Sequence, residues 1–126
     1  MVLVDTDVLV WVYRGQTTAA ELLYRLETPA ISIITRLELL HGARNAIEKR
    51  RLVEVLAGVP LQVIPLTPAI GERASHLLDE VGLANAIGVT DCLIAATALE
   101  HGLPLVTANL KHYRVIRDLR LLAFTG

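Results

Sequence analysis

Asp5, Glu38 and Asp91 each carry a carboxylate into an apolar stretch, VLVDTDVLV, ITRLELL and TDCLIAATAL respectively. Hydrophobic neighbours draw such side chains toward the interior, where a lone carboxylate is costly unless a cation or good donors answer it. Carboxylates converging in a poorly solvated pocket repel one another and hold their protons, unless a hard divalent cation neutralises them. Oxygen-only ligands favour magnesium or manganese over zinc. A cation held in this way orients and deprotonates water and stabilises charge on a phosphoryl group, so the chemistry to expect is phosphodiester hydrolysis.

Those three residues must be brought together by the elements around them. VLVD at 2–5 reads as a short buried strand, and Asp7 is a plausible N-cap for a helix from Val8 to about Arg14, stopped by Gly15. A second helix is expected from Thr17 to Glu27, ending before Pro29, followed by a brief Ala30–Ile31 strand. Ser32 caps the helix that holds Thr35, Glu38 and His41; after Gly42 a second helix, Ile47 to Leu56, completes a helical hairpin. Leu61 to Leu66 alternates little and reads as a buried strand. Pro68 then opens a helix to about Val81, and Gly82 to Gly88 is loop-like. Val89 to Glu100 is helical, Gly102 and Pro104 stop it, Leu105–Thr107 is a strand, and Leu119 to Phe124 an edge strand.

Strands alternating with helices predict an α/β fold, a mainly parallel sheet of four to five strands flanked by helices, in one domain over residues 1–126. In such sheets, sites form at the carboxyl ends of the strands, where Asp5 and Asn109 both fall. Asp91 shares a helix face with Ile94, Ala95, Ala98 and Leu99 and so tops a buried stripe, while Glu38 shares its face with Ile34.

Bulk properties bound the partners. The formal net charge of -1 gives no global basic field, so an anionic substrate must be met locally. Ten of the twelve basic residues are arginine, the better bidentate phosphate ligand. A hydrophobic fraction of 53% and a mean hydropathy of +0.50 predict apolar surface covered by another chain, in an oligomer or a stable complex. No stretch approaches the ~18 residues needed to span a bilayer, and the N-terminus lacks a charged region before its apolar run, so a cytoplasmic protein is expected. The single cysteine, Cys92, excludes an internal disulfide and has no zinc-site spacing around it.

The order DTDVLV, TRLEL, GVTDCLIAATALEHGLPLVTAN and KHYRVI resembles the PIN-domain family over essentially the whole chain. Within it, size and spacing are most similar to the VapC-type toxin ribonucleases of toxin–antitoxin modules. The resemblance implies a catalytic and metal-binding set of Asp5, Glu38 and Asp91. The family's fourth acidic position is Asn109, which removes a charge and keeps an oxygen, leaving open a metal ligand or a loop former. Thr6 and Thr107 would support the site through hydrogen bonds, and Asp7 would either cap its helix or join the acidic cluster. His112 falls beside the family's aromatic position, Tyr113. Also implied are Mg2+ or Mn2+, an RNA substrate, a homodimer, and a cognate antitoxin.

Other readings compete with this one. Asp5-Thr6-Asp7 resembles the DxD motif of haloacid dehalogenase-like phosphatases, although no later paired-aspartate motif or suitable lysine appears. A receiver-like domain would need a phosphoacceptor aspartate where the strand before Thr67-Pro68 has none. A catalytically silent binding module is hinted at by Asn109. Glu48-Lys49-Arg50-Arg51 reads as a solvated helix face. Arg114, Arg117 and Arg120 recur every third residue and read as surface charge, or as phosphate contacts if they border the groove. His41, His76 and His101 lack ligand spacing.

Overall fold

A computed structural model describes residues 1–124; the last two residues of the 1–126 domain expected from sequence lie outside the described residues. Five strands, β1 (Val2–Val4), β2 (Pro29–Ser32), β3 (Gln62–Ile64), β4 (Leu105–Thr107) and β5 (Leu121–Ala123), form one sheet in the order β3-β2-β1-β4-β5. Every pairing is parallel, as the alternation of strands and helices predicts. From the central β1 the chain builds outward to β2 and β3, then returns to the other side of β1 for β4 and β5. Strand order therefore reverses between β1 and β4, and a crevice opens at their carboxyl ends. The register Val4 to Val106 sets Asp5 beside Thr107 at that point.

Because side chains alternate across a strand, neighbouring residues feed two cores. Leu3, Ala30 and Leu105 face one side with Ile70, Ala74 and Leu77 of α5 (Pro68–Leu77) and Ile94, Ala95 and Ala98 of α7 (Val89–His101). Val4, Ile31 and Val106 face the other with Val8 and Leu9 of α1 (Thr6–Tyr13), Ala19 and Leu23 of α2 (Thr17–Arg25), Leu39 of α3 (Ile33–His41) and Leu52 of α4 (Ala46–Ala57). Alanines on α7 leave no bulk between it and α5. Fully burying each Leu, Ile or Val here contributes about 1.5–3 kcal/mol relative to exposure.

Several local expectations are corrected. Asp7 does not cap α1: the helix begins at Thr6, the cap is Asp5, and its carboxylate accepts from the Thr6 amide. Strand β1 accordingly ends at Val4. Ser32 caps α3 as expected, and Asn45 caps α4. Strand β3 is shorter than 61–66 and lies at a sheet edge with Gln62 and Val63 exposed, since Pro65 cannot extend the ladder. The expected loop from Gly82 to Gly88 begins later: after α5 the chain coils on through a wide π-type turn at Leu78–Gly82 and a last turn, α6 (Leu83–Asn85), until Ala86 adopts φ 54°. A one-turn helix, α8 (Leu110–Tyr113), follows β4 and has no counterpart in the periodicity.

Candidate active site

Each acidic side chain reaches the crevice from a different element. Asp5 leaves the end of β1, held to β4 by its own amide donating to Val106 O (2.9 Å). It is only 6% exposed. Its Oδ1 accepts from the Thr6 amide (2.9 Å) and the Tyr113 hydroxyl (3.1 Å), and its Oδ2 accepts from Thr107 Oγ1 (2.8 Å). Three donors on one carboxylate fix its orientation, but burial and the neighbouring Asp7 charge outweigh them and push Asp5 up to about 7.

Asp7, one helical step on, turns back toward β4. Its Oδ2 accepts from the Ala108 amide (3.1 Å) and stands 3.4 Å from Thr107 Oγ1. Its Oδ1 is buried without a hydrogen-bond partner, and burial pushes its pKa above the ordinary carboxylate value. A buried, unanswered carboxylate oxygen beside a second carboxylate favours positive charge at that point.

Asp91 lies in the first turn of α7, where Gly88 precedes the helix. Its Oδ2 accepts from the Gly88 amide (3.3 Å) and lies 2.8 Å from His112 Nε2, while its Oδ1 accepts from the Tyr113 hydroxyl at 3.2 Å. Tyr113, 1% exposed, thus stands between Asp5 and Asp91 and ties their separation to one oxygen. Burial, and then the two carboxylates, push its ionisation far above that of a free phenol, so it acts only as a neutral hydroxyl. Glu38 projects from α3 toward α1, where Thr6 Oγ1 donates to its Oε1 (2.7 Å); Thr6 is in turn hydrogen-bonded to the buried Thr35 hydroxyl (3.0 Å).

Asp5, Thr6, Asp7, Glu38, Asp91, Asn109, His112 and Tyr113 line one cleft of ≈ 390 Å³ together with Val10. All the residues singled out in the sequence therefore meet there except Thr107, which lies beneath and positions Asp5. Asn109 caps α8, its Oδ1 accepting from the His112 amide (3.3 Å), and its own amide donates to Thr107 Oγ1 (3.0 Å). Two contributors carried no role in the sequence reading. Tyr113 was noted only as an aromatic position, although a buried tyrosine hydroxyl needs a partner and the acids supply one. His112 acquires its contact to Asp91 from the α8 turn, which the sequence did not signal.

The donor set is hard oxygen, and the buried Asp7 Oδ1 is an acceptor that no protein donor answers, so the residues fit a divalent metal. Among the described residues, no three Asp, Glu, His or Cys side chains close around a single point by themselves.

The chain is thus an α/β protein with a five-stranded parallel sheet and an acidic crevice at its switch point. Over residues 2–118 it matches the PIN domain, and it belongs to the PIN-domain family. It is 38% identical to Ribonuclease VapC10 of Mycobacterium tuberculosis, over 95% of this chain and 91% of the relative. Ribonuclease VapC19 of the same organism is 33% identical, over 95% and 98%. Among solved structures, VapBC2 from Rickettsia felis bound to a DNA fragment from its promoter is similar with a TM-score of 0.80 and 28% identity, covering 98% of each chain. A toxin–antitoxin complex from Klebsiella pneumoniae is similar with a TM-score of 0.78 and 28% identity, covering 97% and 96%. Family membership sets aside the haloacid dehalogenase-like and receiver-like readings of the Asp5-Thr6-Asp7 segment.

Proposed function

We propose that the chain is a metal-dependent endoribonuclease, the toxin half of a toxin–antitoxin pair, hydrolysing RNA phosphodiester bonds at the Asp5–Glu38–Asp91 cleft. The observation that carries this is the meeting of Asp5 and Asp91 at the Tyr113 hydroxyl, with Asp7 and Glu38 in the same cleft, in a chain whose relatives are named ribonucleases. Asp5 and Asp91 are the principal metal ligands, Mg2+ or Mn2+ being the ions that match them, and Glu38 completes the set from the opposite wall. Bound there, a divalent cation supplies activation of water and neutralises the charge that builds on the phosphoryl oxygens.

The protein's own part is positional. Thr107 and the Thr6 amide hold the Asp5 carboxylate, Thr6 and Thr35 aim Glu38, and Tyr113 sets the Asp5–Asp91 spacing. Asp7 adds a negative oxygen without a partner of its own, and Asn109 orders the α8 turn that carries His112 and Tyr113.

The partner is a cognate antitoxin, as in the toxin–antitoxin complexes to which the fold is similar. A homodimer accounts for the exposed Leu78, Leu83 and Val89 and the high hydropathy. Among the described residues no helix is long and apolar enough to cross a membrane, and we place the protein in the cytoplasm with its RNA substrates.

The test is incubation of metal-stripped protein with a mixed cellular RNA pool, with chelator or with added Mg2+ or Mn2+. Discrete cleavage products that require the added cation support the reading. Equal cutting in chelator, or intact RNA under both cations with antitoxin-free protein, overturns it.

A further inference from the structure

Two hollows flank the acidic cleft, and they differ in charge. On the α1–α3–α4 side, a groove of ≈ 540 Å³ shares Thr6, Val10 and Glu38 with the cleft. Its lining charge is balanced, two arginines (Arg14, Arg44) against two glutamates (Glu38, Glu48), with Arg44 Nε donating to Glu48 Oε1 at 2.8 Å and Oε2 at 3.0 Å. Tyr13, Leu39 and Leu52 make much of the remaining wall apolar.

On the α8 side, a shelf of ≈ 470 Å³ is lined by Asn85, Asn109, Lys111, His112, Arg114 and Val115, and it shares Asn109 and His112 with the cleft. No carboxylate lines it. Lys111 and Arg114 are exposed, and among the described residues neither side chain has a hydrogen-bond or ion-pair partner. In a chain with thirteen acidic residues against twelve basic ones, two unanswered cations beside amide donors form a local anion site.

The triplet spacing of Arg114, Arg117 and Arg120 does not describe a common face. Arg117 lines a separate hollow with Glu72, Glu80, Glu100 and Asp118, and Arg120 Nη2 donates to Gly102 O at 2.6 Å. Of the three, Arg114 is the one that lines the shelf beside the cleft.

We infer that the Lys111–Arg114 shelf binds a backbone phosphate of single-stranded RNA flanking the bond to be cut, so that the substrate is gripped from the α8 side. This deepens the ribonuclease reading and rests on it. A strand presenting a phosphate to the recessed Asp5 carries its next phosphates out of the cleft, and of these two flanking hollows the shelf is the one whose lining is net positive. The 6% exposure of Asp5 favours a single strand, whose backbone bends into the crevice, over a stiff duplex. Asn85 and Asn109 supply amide donors beside the two charges.

The experiment measures binding of a short fluorescent single-stranded RNA by anisotropy in chelator, where nothing is cut, across a salt series. It compares the wild-type chain, the Lys111→Ala/Arg114→Ala double variant and an Arg117→Ala control, with melting temperatures confirming that all three fold. The shelf predicts that the double variant alone binds about tenfold more weakly, with a salt slope smaller by about 0.7, the value for one lost single-strand phosphate contact. In Mg2+ the same variant then shows a raised KM for RNA cleavage with kcat retained.

Wild-type affinity and slope in the double variant overturn the inference, as does an equal loss in Arg117→Ala or no RNA retention by the wild-type chain. A double variant that loses antitoxin binding but keeps RNA binding makes the shelf a protein-docking face and also overturns it. If the RNA is retained through the shelf yet never cut in Mg2+ or Mn2+, the shelf stands and the nuclease reading falls.

Discussion

Asp5→Asn should stabilise the metal-free protein at alkaline pH while destroying its chemistry. Asp5 is raised from 3.8 to about 7 by burial and then by the Asp7 charge. A carboxyl whose folded value lies above its unfolded one contributes stability that is complete below about pH 4 and is lost as pH rises through 7. Over this interval of about three pH units, at 1.36 kcal/mol per unit, ionising Asp5 costs the folded state about 4 kcal/mol.

Asparagine abolishes that cost and fits the site. Its carbonyl accepts from the Thr6 amide and Tyr113, and its amide faces Thr107 Oγ1, whose proton is then free to turn toward Asp7 Oδ2, 3.4 Å away. At about 3 to 5 °C per kcal/mol for a chain of this length, the variant melts roughly 10 to 20 °C above wild type at pH 8 in chelator. The difference shrinks to a small remainder near pH 4, where Asp5 is protonated in the folded chain and the pH stands only just above its ordinary value of 3.8 in the unfolded one. Thermal unfolding from pH 4 to 8.5 reads the difference directly. Parallel curves, or a variant less stable at every pH, would refute the claim that this carboxylate is held against its own ionisation.

Three further outcomes follow from the same geometry. Cation affinity, measured by calorimetry, should rise as pH increases toward 7, because the metal must displace the proton Asp5 retains; an affinity flat from pH 5.5 to 8 would contradict it. Tyr113→Phe removes a donor shared by Asp5 and Asp91, and should cost about 1.5–3 kcal/mol of metal-free stability at pH 8 and weaken Mn2+ binding; unchanged melting and titration would show that the hydroxyl positions nothing. Thr6→Val releases Glu38, so the Mg2+ concentration giving half-maximal cleavage should rise several-fold with the maximal rate less affected, whereas an unchanged metal requirement would argue that Glu38 is aimed by other means.

The acidic trio was legible because three carboxylates embedded in apolar runs have few inexpensive explanations, and because β1 and the α7 stripe have strong patterns. Parallel topology followed from alternation of element types. What escaped the sequence was local backbone choice. Asp5 and Asp7 are both suited to an N-cap, and only pairing of β1 with β4 decides that the strand ends at Val4 and the cap is Asp5. Leu61–Leu66 looks as apolar as a central strand, yet Pro65 cuts it short and its place at the edge leaves Val63 exposed. A single turn such as α8 buries too few residues to leave a period. Its consequences, the Tyr113 bridge and the His112 contact with Asp91, therefore appear only in three dimensions.

The central claim is that Asp5, Glu38 and Asp91 act together through a divalent cation on an RNA phosphodiester. The most direct test is single-turnover cleavage of one defined RNA across a Mg2+ series by wild type, Asp5→Asn, Glu38→Gln and Asp91→Asn, each shown to be folded. The account predicts that wild-type cutting saturates with Mg2+ and that each substitution lowers the rate by at least about a hundredfold, comparable to removing one transition-state contact worth about 2.7 kcal/mol. A variant folded like wild type that cuts at the wild-type rate and Mg2+ midpoint would contradict it.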